Sequence, residues 1–284
     1  MSDIVLLDRF FRKIHAHLVS CYGEVPHWPV LLGIFGRPGD GKSVQIDAAL
    51  QQCNVEIIRV NAADLESGLA GEPGKYVART YATASLAVAK QVPTALVIDD
   101  IDTTVGEWEM NTGTVNHQQV LAELMHLADK PVDQARGFPR RVPVFVTGNN
   151  LARLYPPLRR HGRMNTFNWQ PTPSEIYTVA QVIFGGKADD RAVAAFVGQF
   201  GDEPLSFLAL VRQEILNDEA AIAVSQVGND MRSFLRHGHG RPVNGMARRL
   251  SADDLLSAAQ RVQSERKSAL TNFLAYQASD AETR

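Results

Sequence analysis

Eight consecutive residues carry the most specific chemistry in this sequence. Gly36, Arg37, Pro38, Gly39, Asp40, Gly41, Lys42 and Ser43 fit the pattern G-x-x-x-x-G-K-[ST], with Val44 following. An apolar run precedes them and a helical pattern follows, the setting in which such a loop cradles phosphates. Its glycines let successive backbone N–H groups turn inward, and the positive end of the next helix strengthens the field. Lys42 is spaced to reach β- and γ-phosphates and the Ser43 hydroxyl to ligate Mg²⁺, so the pattern implies an ATP site with ATP and Mg²⁺ as cofactors. A Gly-rich turn with a surface lysine would fit the residues but not their strand–loop–helix context.

Two further strand ends carry polar groups. The run Thr94–Ile98 is apolar and ends in Asp99, Asp100, Ile101 and Asp102. At the carboxyl end of a parallel strand Asp99 would face a nucleotide-bound Mg²⁺. Asp100 would act as general base on the attacking water, or orient it. Asp102 reads as a helix cap or an interface contact. The run Val142–Thr147 leads to Asn149, placed to hold the lytic water, to sense the γ-phosphate, or simply to form a turn. Arg159, Arg160 and Arg163 follow around Gly162. They read as a solvated surface by themselves, and beside a nucleotide site as candidates for the arginine finger that stabilises transition-state charge.

These groups need a parallel sheet covered by helices to bring them together, and residues 30–170 alternate short apolar runs with helical patterns as such a fold requires. Strands are predicted at Val30–Phe35, Val55–Val60, Ala95–Asp99, Val142–Thr147 and Thr166–Trp169, with helices at Lys42–Gln52, Lys75–Lys90 and Val115–Asp129. Beyond Trp169 the pattern turns helical, opened by Thr172, Pro173 and Glu175 as a capping box. Helices are expected over about 174–184, 189–200, 204–236 and 251–277, the last opened by Ser251 and Asp254. The reading is an α/β nucleotide-binding domain at 1–170 and an all-helical lid domain at 171–284.

Composition excludes several classes. The 284 residues are 45% hydrophobic, with a formal charge of −2 from 29 basic and 31 acidic residues. No global basic field for nucleic acid exists, which disfavours a DNA-acting ATPase. No apolar run reaches the roughly 18–20 residues of a membrane span. Cys21 and Cys53 give neither a disulfide framework nor metal spacing. Asp3 and Asp8 break the order of a secretory signal, so a soluble, cytoplasmic protein is expected.

The motifs together resemble the AAA+ superfamily and, within it, the Rubisco activases. Besides the phosphate loop, the similar segments are Ala63–Pro73 (ADLESGLAGEP), Val115-Asn116, Leu124-Met125, Ala128-Asp129, Val146–Asn149 and Leu154–Met164 (LYPPLRRHGRM), with Leu250–Gln277 like the family's last helix. The resemblance implies that Asp99 and Asp100 are the Walker B pair, Asn149 sensor 1, and Arg160 and Arg163 fingers acting on a neighbouring subunit's ATP. It places Arg212 as sensor 2. A second arginine expected two residues later is Glu214, and the acidic residue usual after Gly-Arg-Met is Asn165. Neither the extra N-terminal domain of plant activases nor a small-subunit-like tail is expected within these residues.

What the resemblance implies is a ring-forming homo-oligomer, in the family a hexamer, that uses ATP to remodel a protein client, Rubisco, by releasing inhibitory sugar phosphates. The alternatives are a remodeller of a different complex, a DNA-acting ATPase and a small-molecule kinase. Glu66–Gly71 would form a pore loop with Leu69-Ala70 between glycines, and Trp108, in Val105–Gly113, would line the pore or pack on its own domain. His237 and His239 lack a third metal ligand nearby, and Arg232, Arg236, Arg241, Arg248 and Arg249 make a basic lid face suited to solvent or an acidic partner.

Overall fold

The computed structural model describes residues 4–61, 65, 72–104, 115–227, 232 and 249–282. Two compact units divide the chain, one of Leu6–Gln170 and one made mainly of residues from Pro171 onward. Glu66–Gly71, Val105–Gly113 with Trp108, His237, His239, Arg236, Arg241 and Arg248 lie outside the described residues.

The first unit holds five parallel strands: β1 (Leu31–Phe35), β2 (Glu56–Val60), β3 (Thr94–Ile98), β4 (Val144–Gly148) and β5 (Met164–Asn168), ordered β2-β3-β4-β1-β5. β1, β3 and β4 are buried at every position, as near-continuous Val/Ile/Leu runs must be when both faces are covered. The edge strands β2 and β5 carry the polar residues. Each predicted strand is present, displaced by no more than two residues at either end.

Helices α1 (Asp8–Tyr22), α2 (Lys42–Gln52), α3 (Glu72–Ala89), the single turn α4 (Ile101–Thr104) and α5 (Val115–Asp129) complete this unit. α2 and α5 have the predicted bounds, and α3 begins three residues earlier than Lys75. α1 was not anticipated. Its Phe10, Ile14, His17, Leu18 and Cys21 are buried along one stripe, the spacing of an amphipathic helix. Because β4 lies between β3 and β1, the loops after Phe35, Ile98 and Gly148 emerge side by side at one edge, where open α/β sheets bind ligands.

In the second unit, α6 (Pro173–Ile183), α7 (Asp190–Phe200), α8 (Leu205–Val227) and α9 (Ala252–Glu282) are helical, with one isolated bridge between Ala188 and Leu250. The Thr172–Glu175 capping box forms as the spacing predicts, with Pro173 in the first turn. Phe184, Phe196, Phe200 and Phe207 cluster with centroids 5.4–6.4 Å apart. Arg261 of α9 donates to Glu214 at 2.7 Å and Asp218 at 2.5 Å on α8. The acid that replaces an expected arginine thus ties two helices of this unit together.

Candidate nucleotide site

The phosphate loop leaves β1 at Gly36 and enters α2 at Lys42. Gly39 and Gly41 have φ of 82° and 77°, the left-handed region that glycine enters without a Cβ penalty. At Gly36 the constraint is space: a Cβ there would lie 2.1 Å from the Trp169 carbonyl oxygen. Trp169, fully buried at the end of β5, also donates its indole N–H to the Asp40 carbonyl at 2.8 Å. β5 therefore braces the loop from behind, a role the sequence did not disclose. Arg37 pairs with the buried Asp40 carboxylate at 3.3 Å.

Lys42 is 7% exposed and its Nζ donates to the carbonyls of Gly36 (2.8 Å) and Arg37 (3.2 Å) and to Asn149 Oδ1 (2.9 Å). Burial lowers its pKa, opposed by Asp100, Asp40 and Asp102. A ligand phosphate would offer this ammonium charged acceptors in place of neutral carbonyls, a stronger class of hydrogen bond. Pro38, Gly39, Gly41, Lys42, Ser43, Val44, Asp100 and Asn149 line a cleft of about 300 Å³. Gly36, Arg37 and Asp40 build the loop without lining it.

At the end of β3, Asp99 Oδ1 accepts from Ser43 Oγ at 2.9 Å and from Thr147 Oγ1 at 3.0 Å. Ser43 and Asp99 thus present adjacent oxygen donors, the chemistry suited to a hard cation such as Mg²⁺. Asp100 adopts φ of 49°, uncommon for a residue with a Cβ, and its N–H donates to Thr147 Oγ1 at 3.0 Å. That turn aims Asp99 and Asp100 differently, and only Asp100 lines the cleft. Burial and then the neighbouring Asp99 raise the Asp100 pKa, against the opposing pull of Lys42. A more basic carboxylate is a better proton acceptor for water.

Asp102, 3% exposed, accepts at Oδ2 from the backbone N–H groups of Asn149 (2.9 Å) and Asn150 (2.8 Å). Asp102 does not cap its own helix, the first of its two readings; its carboxylate ties down the turn after β4. It fixes the backbone of the residue whose side chain meets Lys42. Thr147, Asp102 and Arg59, which pairs with Asp99, are site residues that sequence reasoning missed or left open. For Arg59 and Thr147 the available signal was a polar side chain interrupting an apolar run.

Arg160 and Arg163 lie elsewhere. Met164 opens β5 in register with Leu31, at the amino end of β1, whereas the phosphate loop follows Phe35 at the other end. At about 3.3 Å per residue the arginines sit roughly 15 Å or more from their own loop. Arg163 is forked onto Asp129 by bonds of 2.8 and 2.7 Å and reaches the Pro157 carbonyl at 3.1 Å. Arg160 is exposed, and its side chain has no hydrogen bond or ion pair among the described residues. Arg212 is half-buried on α8, in the other unit.

A phosphate loop between β1 and a helix, an amide after the adjoining strand β4 and two carboxylates after β3 beyond it define a P-loop nucleotide-binding domain. Residues 32–172 match the family model for the ATPase family associated with various cellular activities (AAA). The chain belongs to the AAA ATPases, a family of ATP-hydrolysing enzymes. It is similar to the chloroplastic ribulose bisphosphate carboxylase/oxygenase activase of Zea mays, 34% identical over 254 residues that cover 85% of this chain and 59% of that protein. The chloroplastic activase of Spinacia oleracea is 34% identical over 240 residues, 81% of this chain and 51% of its own. An activase from an Anabaena species is 35% identical over 234 residues, covering 78% and 56%. The chain therefore spans about half the length of these relatives. The resemblance read from the sequence is supported by both comparisons.

Proposed function

We propose that this chain hydrolyses Mg²⁺–ATP in the cleft after β1, β3 and β4 and uses the energy to remodel Rubisco, releasing inhibitory sugar phosphates from its active site. The observation that carries the client is the extent of the similarity: it runs over 254 residues, well beyond the segment 32–172 that AAA ATPases share in general. Lys42 and the loop N–H groups hold the β- and γ-phosphates, and Ser43 and Asp99 hold Mg²⁺, which supplies charge neutralisation on the phosphate oxygens. Asp100 accepts a proton from the attacking water. Asn149, held by Asp102, orients that water once phosphate draws Lys42 away.

The finger comes from a second copy of the chain in a ring, a hexamer by analogy with the family. Their distance along β1 from the phosphate loop supports this reading of Arg160 and Arg163. Arg160 is the side chain at liberty to reach a neighbour's γ-phosphate, while Arg163, forked onto Asp129, holds the segment that presents it. Arg212, on α8 of the other unit, is the residue that the family resemblance assigns to sensor 2. Leu69 and its neighbours contact the client, and the protein works in the cytoplasm. No described helix is long and apolar enough to cross a membrane.

The test is to incubate the chain with Rubisco from the same source, inhibited beforehand by ribulose bisphosphate. ATP-dependent recovery of carboxylation, absent with Lys42→Ala, is the expected result. Sustained ATP hydrolysis with no recovery would leave the ATPase reading standing and point to a different protein complex as client.

A further inference from the structure

β2 reads Glu-Ile-Ile-Arg-Val, an edge strand with one cation near its carboxyl end. Across the parallel ladder Arg59 pairs with Val97, two residues before Asp99. Diagonal neighbours of this kind share a face of the sheet and lie within reach of a long side chain. The Arg59 side chain is only 27% exposed, and its guanidinium forks: one nitrogen donates to Asp99 Oδ2 and another to Asp47 Oδ1 on α2. The other Asp99 oxygen already accepts from Ser43 and Thr147. Both oxygens of the carboxylate that would serve Mg²⁺ are thus engaged, one of them by a fixed positive charge that a second carboxylate, Asp47, anchors.

We propose that Arg59, held by Asp47, is a positioning residue that clamps Asp99 and sets the Mg²⁺ concentration at which the phosphate loop accepts Mg²⁺–nucleotide. The inference rests on the nucleotide site proposed above. A cation arriving at Ser43 and Asp99 meets an arginine that both repels it and competes for its ligand, so the site fills only at higher Mg²⁺. Asp47 moderates this. It shares the guanidinium, and without it the whole charge of Arg59 falls on Asp99. In exchange, the clamp keeps the Asp99 carboxylate oriented and partly neutralised before the metal arrives.

Two variants with opposite expected signs test the clamp. With a fluorescent ATP analogue at fixed concentration, Mg²⁺ is titrated from a chelated start and the half-saturating concentration is read from bound nucleotide. Arg59→Met should lower that concentration about two- to fivefold, the scale of one part-screened ion pair. Asp47→Asn should raise it. Thermal unfolding of each variant verifies its fold, and if Arg59→Met does not fold the rise in Asp47→Asn alone decides. Unchanged midpoints, or shifts in the same direction, would overturn the clamp, because damage to the loop moves both variants alike. A wild-type chain without Mg²⁺-dependent nucleotide binding would instead overturn the underlying nucleotide site, and shows itself before any variant is made.

Discussion

At the scale of single residues, Asp99 and Asp100 are adjacent in sequence yet differ in surroundings. Asp99 accepts hydroxyl hydrogen bonds from Ser43 and Thr147, and Asp100 turns into the cleft with its pKa raised by burial. Asp100→Asn should therefore keep nucleotide and Mg²⁺ binding but slow hydrolysis by a factor on the order of 10²–10⁴, the usual worth of a positioned base. In the unaltered chain the acid limb has a definite sign. A base must be deprotonated, so turnover should fall as pH drops through a value above the ordinary aspartate range of about 4. A pH–rate profile in saturating ATP checks this, and a flat profile down to pH 4 would remove Asp100 as base. Lys42, Ser43 and Asp99 were legible because their motif fixes their spacing. Arg59, Thr147 and Asp102 were not, since the part each plays depends on which elements lie side by side: Arg59 matters because β2 lies beside β3, and no local pattern states that pairing.

At the scale of elements, buried strands and their helices followed from composition and period, as β1, β3 and β4 show. α1 did not, for physical reasons visible at its start. Leu7 stands at the N-cap without a side-chain hydrogen bond, so the usual Ser/Thr/Asp signal is missing. The helix is secured by tertiary contacts. Leu7 N–H donates to Gln45 at 2.9 Å, Phe10 meets Trp169 edge-on at 4.9 Å, and Arg9 lies over the same indole. His17 is the other anchor. Its Nε2 lies 3.0 Å from the Val30 carbonyl, and Trp28 Nε1–H donates to Nδ1 at 3.3 Å, so the neutral Nε2–H tautomer satisfies both. Burial lowers its pKa from 6.5 to about 4. The unfolded chain binds the proton more tightly, so the stability His17 contributes is complete above pH 6.5 and lost as pH falls toward 4. The unfolding free energy of the unaltered chain relative to His17→Phe should shrink by on the order of 3 kcal/mol over that interval. Denaturant titrations at several pH values measure it, and a constant difference would show that His17 is not held neutral.

For the whole molecule, the groups proposed for hydrolysis stand at opposite ends of one sheet. The phosphate loop follows β1, whereas Arg160 and Arg163 precede β5, with which β1 is in register. One copy thus presents a nucleotide cleft at one edge and an exposed Arg160 at the other, as the proposed sharing of a site between copies requires. Mixing two variants that are inactive alone tests this most directly. Lys42→Ala loses the loop cation but keeps its finger, and Arg160→Ala binds ATP but lacks the finger, whose removal costs on the order of 10³–10⁵ in turnover. A mixed ring contains interfaces with an intact loop facing an intact Arg160. ATPase activity should therefore return on mixing and peak at intermediate ratios, while activity per chain in the unaltered protein rises with concentration. Full activity of Arg160→Ala by itself, or no recovery at any ratio between two folded variants, would contradict a site shared between copies.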